Sequence, residues 1–213
     1  ESSDKVVDAA WSSDGRYVYY LVQHGSELIL RSLRGRNQVV PEVLTVQAIY
    51  SGDKEVIQAH VRVSPDNRFI AVAFSLHYNI TMEDDNLGIS KTRVLLYKTP
   101  KHTDSSHSRD PVASCWLLNP NGTTNANVIV KDLQISHDSK RMLAVTEKGY
   151  TQKSAVNVWD LYGPDNYLRL GSDPDYHWQR FFKLRKVSHA VFADAQDSSW
   201  IMVFVKHKSA MAP

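Results

Sequence analysis

Four groupings of residues in this chain have types and spacings that could do chemistry. The stretch HWQRFFKLRK, residues 177–186, interleaves Trp178, Phe181 and Phe182 with Arg180, Lys183, Arg185 and Lys186. Cations alternating with aromatic rings can stack on nucleic-acid bases or meet a lipid surface. Trp and Arg also dominate the binding energy of protein interfaces, and a partner protein is the stronger expectation of the two. The plainer reading is a strand whose rings enter a core while its cationic tips reach water. A second grouping is Glu83-Asp84-Asp85. Paired carboxylates do acid–base work when burial separates their pKa values; three in a row in a polar segment stay solvated and are better suited to docking a basic partner. The third is KHTDSSHSRD, where His102, His107, Asp104 and Asp110 carry metal-ligating atoms. A metal needs ligands converging at about 2 Å with an ordered shell behind them, and this polar run offers no reason for convergence. The fourth is Cys115 in VASCWLL, where apolar neighbours keep a thiol protonated and inert.

No Gly-x-Ser-x-Gly nucleophile elbow occurs. The nine glycines are scattered, and no two stand in the Gly-x-Gly spacing of a phosphate cradle. No catalytic, cofactor-binding or metal-ligating residue is therefore assigned. The chain reads as non-enzymatic, with room for a catalytic domain outside this segment.

Composition sets the remaining bounds. With 213 residues, 42% apolar and 23% charged, the chain can bury a substantial core. A net charge of +2 makes the whole molecule no magnet for nucleic acid. No apolar run approaches the roughly 18 residues of a membrane span. No signal peptide or initiator Met is visible; the chain opens Glu1-Ser2-Ser3-Asp4-Lys5, a start expected to be a processing or cloning boundary. A single cysteine excludes an intrachain disulfide and favours a reducing, cytoplasmic or nuclear setting. Two glycosylation sequons, at Asn79 and Asn121, pull the other way, toward a secreted protein or an ectodomain.

The elements that would position any of these groups show up as a recurring polar knot. Ser12-Ser13-Asp14-Gly15-Arg16, Ser64-Pro65-Asp66-Asn67-Arg68 and Ser136-His137-Asp138-Ser139-Lys140 each follow alternating apolar residues and precede a denser apolar run. Asp-Gly, Asp-Asn and Asp-Ser pairs tolerate the positive backbone angles of tight hairpins. The Asp14, Asp66 and Asp138 carboxylates can hold such turns by accepting backbone N–H groups. The runs that follow are rich in Val, Ile, Phe, Tyr and Ala, which suits strands buried on both faces. A third strand closes each copy, at Glu27–Leu33, Arg93–Lys98 and Ala155–Leu161, and a weaker fourth copy starts at Ser188.

The Ser-x-Asp-Gly-Arg knot, its following strand and VNVWD at 156–160 together resemble WD40-type β-propellers and the related propellers built on Ser-Pro-Asp-Gly repeats, some of them attached to peptidases. Only one copy carries the Trp-Asp pair, Trp159-Asp160. The resemblance implies an all-β chain of four-stranded antiparallel blades forming part of a larger or incomplete ring, since propellers close with four to eight blades. The expected blade cores are 6–33, 57–99, 128–162 and 187–205, with insertions at 77–91 and 100–127. A sandwich of Asp-Gly hairpins is the alternative. The resemblance also implies that His60 and His189 could join a buried hydrogen-bond network, against the plainer reading of ordinary surface or core histidines. The function expected is a non-catalytic protein–protein scaffold working through propeller-face loops, with other proteins or the rest of its own propeller as partners. The alternatives are a substrate-gating module of a larger peptidase-type enzyme, and nucleic-acid or lipid contact through 177–186.

Overall fold

A computed structural model describes residues 4–34, 43–78, 89–100, 110–116, 128–148, 153–162, 179–185, 187–193 and 200–205. Among them are fourteen strands and no helix. The first sheet is β1 (Lys5–Trp11), β2 (Tyr17–His24), β3 (Glu27–Arg34) and β4 (Val43–Tyr50); the second is β5 (Glu55–Val63), β6 (Phe69–Tyr78), β7 (Ile89–Lys98) and β8 (Ala113–Trp116). The third is β9 (Val128–Ile135), β10 (Arg141–Lys148), β11 (Lys153–Asp160) and β12 (Gln179–Arg185). A two-stranded sheet of β13 (Val187–Phe192) and β14 (Ile201–Val205) follows. Every pairing is antiparallel between chain neighbours. The four sheets are successive blades, and their first strands β1, β5, β9 and β13 lie side by side. This is the architecture of a β-propeller, present as an open run of blades.

The turns carry the repeat into three dimensions. In each, the serine hydroxyl donates to the aspartate Oδ1 at 2.6 Å: Ser12 to Asp14, Ser64 to Asp66, Ser136 to Asp138. The same serine Oγ accepts the N–H of the residue opening the next strand, at 2.9 Å from Tyr17, 2.9 Å from Phe69 and 2.8 Å from Arg141. The aspartate Oδ1 accepts the N–H two residues on, from Arg16, Arg68 and Lys140. The residue between takes a left-handed φ of 67° at Gly15, 56° at Asn67 and 57° at Ser139. Gly, Asn and small polar residues are the types that bear that angle at least cost. Where the left-handed residue has a side chain, it also reaches the preceding blade. Asn67 Oδ1 accepts the Ser13 N–H at 2.8 Å, and Ser139 Oγ accepts the Asp66 N–H at 3.1 Å.

Strand alternation then fills the space between blades. On β6, Ile70, Val72, Phe74 and Leu76 pack toward the first blade, against Tyr19, Leu21, Leu28 and Leu30. Phe69, Ala71 and Ala73 turn the other way and pack with Val130, Leu133, Met142 and Trp159 of the third blade. On β10, Met142 and Ala144 face the second blade while Leu143 and Val145 join Val187 and Ala190 of the fourth. Burying one such side chain contributes about 1.5–3 kcal/mol, so each face of β6 and β10 holds a neighbour in place.

The strands extend beyond the segments expected from sequence. The fourth strand of blade one, β4, lies past the expected core end at 33. That of blade two, β8, falls inside 100–127, so this stretch is not all insertion. The interruption of blade two is shorter than 77–91, because β6 reaches Tyr78 and β7 begins at Ile89. In blade three, β12 comes from the basic-aromatic stretch. Outermost strands have one paired edge and weaker patterning, and β8 has only four residues.

Ser64→Ala removes both the donor to Asp66 and the acceptor of the buried Phe69 N–H. Urea unfolding should show a loss of about 2 kcal/mol; a loss under about 0.5 kcal/mol would mean that the backbone bonds of the turn suffice without the hydroxyl.

Candidate functional site

Aligning the blades on their turn serines places four residues at one level of the innermost strands. Four positions before Ser12, Ser64 and Ser136 stand Asp8, His60 and Asp132, and His189 occupies the same place on β13. The order along the run is Asp, His, Asp, His. A β-bulge stands immediately before Asp8, Asp132 and His189, and three residues before His60. Bulges redirect side chains, and here they precede the polar residues that link one inner strand to the next.

The four residues and Arg62 form a continuous network. Asp8 Oδ2 accepts the Val61 N–H at 3.0 Å and Arg62 Nη1 at 2.8 Å, with His60 Nδ1 at 3.4 Å. Gln58 Nε2 donates to His60 Nε2 at 3.2 Å, which leaves the ring proton on Nδ1, toward Asp8. Arg62 Nη2 reaches on to Asp132 Oδ1 at 3.5 Å, so one guanidinium joins the first blade to the third. Asp132 Oδ1 also accepts the Leu133 N–H and Gln134 Nε2, and its Oδ2 pairs with His189 Nδ1. The Asp132 carboxylate is buried, at 5% exposure, and the hydrogen bonds that replace its lost water fall on Oδ1. Burial alone would raise the pKa of Asp8. The His60 hydrogen bond, the Val61 N–H and the Arg62 charge outweigh it and hold the carboxyl down at about 2.

Chemically, Asp8, His60 and Arg62 fasten one blade to the next. A general base at neutral pH needs a pKa near 7 and a lone pair free to meet substrate. Asp8 is far too acidic, and both ring nitrogens of His60 are engaged. Among the described residues no group of three or more His, Cys, Asp and Glu is arranged to hold a metal ion. Further polar links join the blades away from this level. Gln23 Nε2 donates to Val56 O, Thr92 Oγ1 donates to Val128 O, and Ser75 and Ser154 accept the N–H groups of Val130 and Val187.

Of the residues singled out by sequence, Asp14, Asp66 and Asp138 accept the serine hydroxyls of their turns. His60 and His189, whose plainer reading was an ordinary surface or core histidine, pair with Asp8 and Asp132, and His189 remains 45% exposed. Asp8, Arg62 and Asp132 were missed, although counting back from the turn serines would have found both aspartates. Arg180, Phe181, Phe182, Lys183 and Arg185 lie on β12, where only the backbone is described. Its backbone register sets Phe182 against Val156 and Phe181 against Asn157. Trp178, Lys186, Glu83, Asp84, Asp85, His102, Asp104, His107 and both sequon asparagines, Asn79 and Asn121, lie outside the described residues. Cys115 packs at the margin of the core between blades two and three. Burial pushes its thiol up to about 12.

No family model matches the chain, and no curated protein does. Solved structures do. A putative 6-phosphogluconolactonase from Bacteroides uniformis is 12% identical, with 78% of this chain covering 40% of that one at a TM-score of 0.44. The periplasmic gluconolactonase of Pseudomonas aeruginosa is 13% identical, with coverages of 92% and 62% and a TM-score of 0.38. The β-propeller domain of Cps50 (Swd1) from Myceliophteria thermophila is 13% identical, with coverages of 83% and 57% and a TM-score of 0.35. The chain thus spans roughly half the length of these propellers. Among the described residues no helix is long and apolar enough to cross a membrane.

Two measurements check the site. Asp8→Asn should cost about 2 kcal/mol at pH 7, because the Val61 N–H and Arg62 lose a charged acceptor. Asp8 is more acidic folded than its ordinary 3.8, so its stabilisation is complete above that pH and disappears as the pH falls toward 2. The gap between Asp8→Asn and the native chain in urea unfolding should therefore close between those values; a gap unchanged at pH 2 would contradict the network. Cys115 should react with a thiol reagent at neutral pH more than about a hundredfold slower in the folded chain than in the unfolded one.

Proposed function

We propose that the chain is a non-catalytic binding scaffold that contacts other proteins through the segments linking its strands. The observation that supports this reading most is how the ionisable groups at the inner strands are used. Asp8, His60, Arg62 and Asp132 are engaged in joining one blade to the next and offer no free acid, base or nucleophile. Function on such a frame falls to the connections, which vary freely while the strands hold them in place. The connections differ widely in length. Two residues join β2 to β3, whereas 79–88 joins β6 to β7, 117–127 joins β8 to β9, and 161–178 joins β11 to β12. Glu83, Asp84 and Asp85 fall in the first of these long segments, and Trp178 ends the last. The acidic cluster suits a basic partner surface. Trp178 with the following Arg180 has the residue types of an interface anchor.

Replacing 79–88 with a Gly-Ser linker of equal length separates scaffold from frame. Affinity capture from cells should lose specific partners while the thermal midpoint of the chain stays unchanged. An identical set of captured proteins from this variant and from a second one with 163–176 replaced would count decisively against the reading.

A further inference from the structure

Where blade two meets blade three, at the end of the sheets that carries their Asp-centred turns, the chain gathers cations beside a buried hydroxyl. Arg68 closes the second turn just before β6, and Tyr162 lies just past β11. The Phe69 and Tyr162 rings stand 6.0 Å apart, tilted by 56°. The exposed Arg68 side chain lies across both, with Cζ 5.6 Å from the centre of the Phe69 ring and 5.7 Å from that of Tyr162. Two aromatic rings hold a guanidinium in place while leaving its N–H edge free to donate. Lys98, also exposed, stands opposite Phe69 in the register of β7 on β6. Exposed Lys140 follows Ser139, whose hydroxyl accepts the Asp66 N–H at 3.1 Å and so sets the third turn against the second.

Holding the blades together explains none of these side chains. Among the described residues, Arg68, Lys98 and Lys140 have no ion pair, whereas Arg16, at the place of Arg68 in the first turn, pairs with Asp14 at 3.7 Å. Tyr162 Oη is withdrawn from water and has no hydrogen-bond partner. A buried hydroxyl left unpaired is costly and calls for an acceptor. Burial raises the pKa of this hydroxyl, Arg68 lowers it and Asp66 raises it, so both charges are felt at its oxygen. Asp66 and Asp138 are the carboxylates of the two turns. Three cations against two carboxylates leave one positive charge, which suits a monoanion better than a dianion.

We infer that this crevice binds a carboxylate group, with the Arg68 guanidinium as a two-pronged donor, the Tyr162 hydroxyl as a third donor and Lys98 as a nearby charge. Arg68 lies over the Tyr162 ring on a flexible stem, so it can turn to admit a ligand oxygen and then close on it. A planar carboxylate matches the guanidinium fork. This site does not depend on the scaffold reading, and its test needs no partner protein.

The test follows the Arg68 Nε–H resonance of the full chain during titration with sodium acetate, against sodium chloride at equal ionic strength. Acetate should produce a saturable shift that chloride does not. Arg68→Lys keeps the charge but loses the fork, and should weaken binding more than about tenfold when followed at the Phe69 amide. Tyr162→Phe should weaken it about tenfold while leaving the thermal midpoint unchanged or higher, because that hydroxyl has no protein partner to lose. A short peptide with a single Glu that binds more than about tenfold tighter than acetate would assign the carboxylate to a partner protein, and equal affinity would assign it to a free acid; both results support the site. No acetate shift beyond that of chloride, tighter binding of inorganic phosphate than of acetate, or a lowered midpoint in Tyr162→Phe would each overturn the inference.

Discussion

A sheet that is apolar on both faces cannot stand alone in water. Here Ala71 and Ile70, neighbours on β6, point to opposite sides and are both fully buried. The same is true of Met142 and Leu143 on β10. Two-sided burial forces each middle blade to lie between two others, and a stack of twisted sheets whose first strands stay together fans out around an axis. Ala71 and Ala73 of β6 share a core cluster with the bulkier Met142 and Trp159 of the facing blade, so small residues on one sheet leave room for large ones on the next. The arrangement of the described blades follows from this constraint.

Legibility in the sequence depended on how local the determining interaction was. The turns were legible because serine, aspartate and a left-handed residue act within five positions, and the hydrogen bonds that close each turn are internal to it. The strands after them were legible from their density of apolar and β-branched residues. β4 was not, although Val43-Leu44-Thr45-Val46 is a good strand former, because no Asp-centred turn announces it. β12 was read first as chemistry, since Arg and Lys between aromatic residues look the same on an outer strand as on a binding surface. The inner-strand network was the least legible part. Asp8 and His60 are 52 positions apart, and nothing in either local neighbourhood says that they meet. Only superposing the repeats reveals that they share a level.

Apolar contact alone leaves the order of blades underdetermined, because one Val-rich face resembles another. The charged level supplies discrimination. Arg62 touches acceptors on both flanking blades at 2.8 and 3.5 Å, which fixes blade two between two aspartates. Partly buried ion pairs are poor sources of net stability, since desolvation offsets much of their attraction, but leaving one partner alone is strongly unfavourable. The network therefore acts mainly against wrong arrangements. A blade slipped by one residue along its neighbour would strand Asp132, at 5% exposure, without Arg62 or His189.

The same reasoning explains why the left-handed turn position varies when its backbone angle does not. Asn67 and Ser139 each use the side chain to accept an N–H from the turn before them. Gly15 has no side chain to offer, and a Cβ built there meets nothing within 4 Å. Among the described residues nothing stands against it, and glycine meets the φ of 67° at the least cost. Position 15 thus reflects the backbone alone, whereas positions 67 and 139 reflect the backbone and a neighbouring blade together.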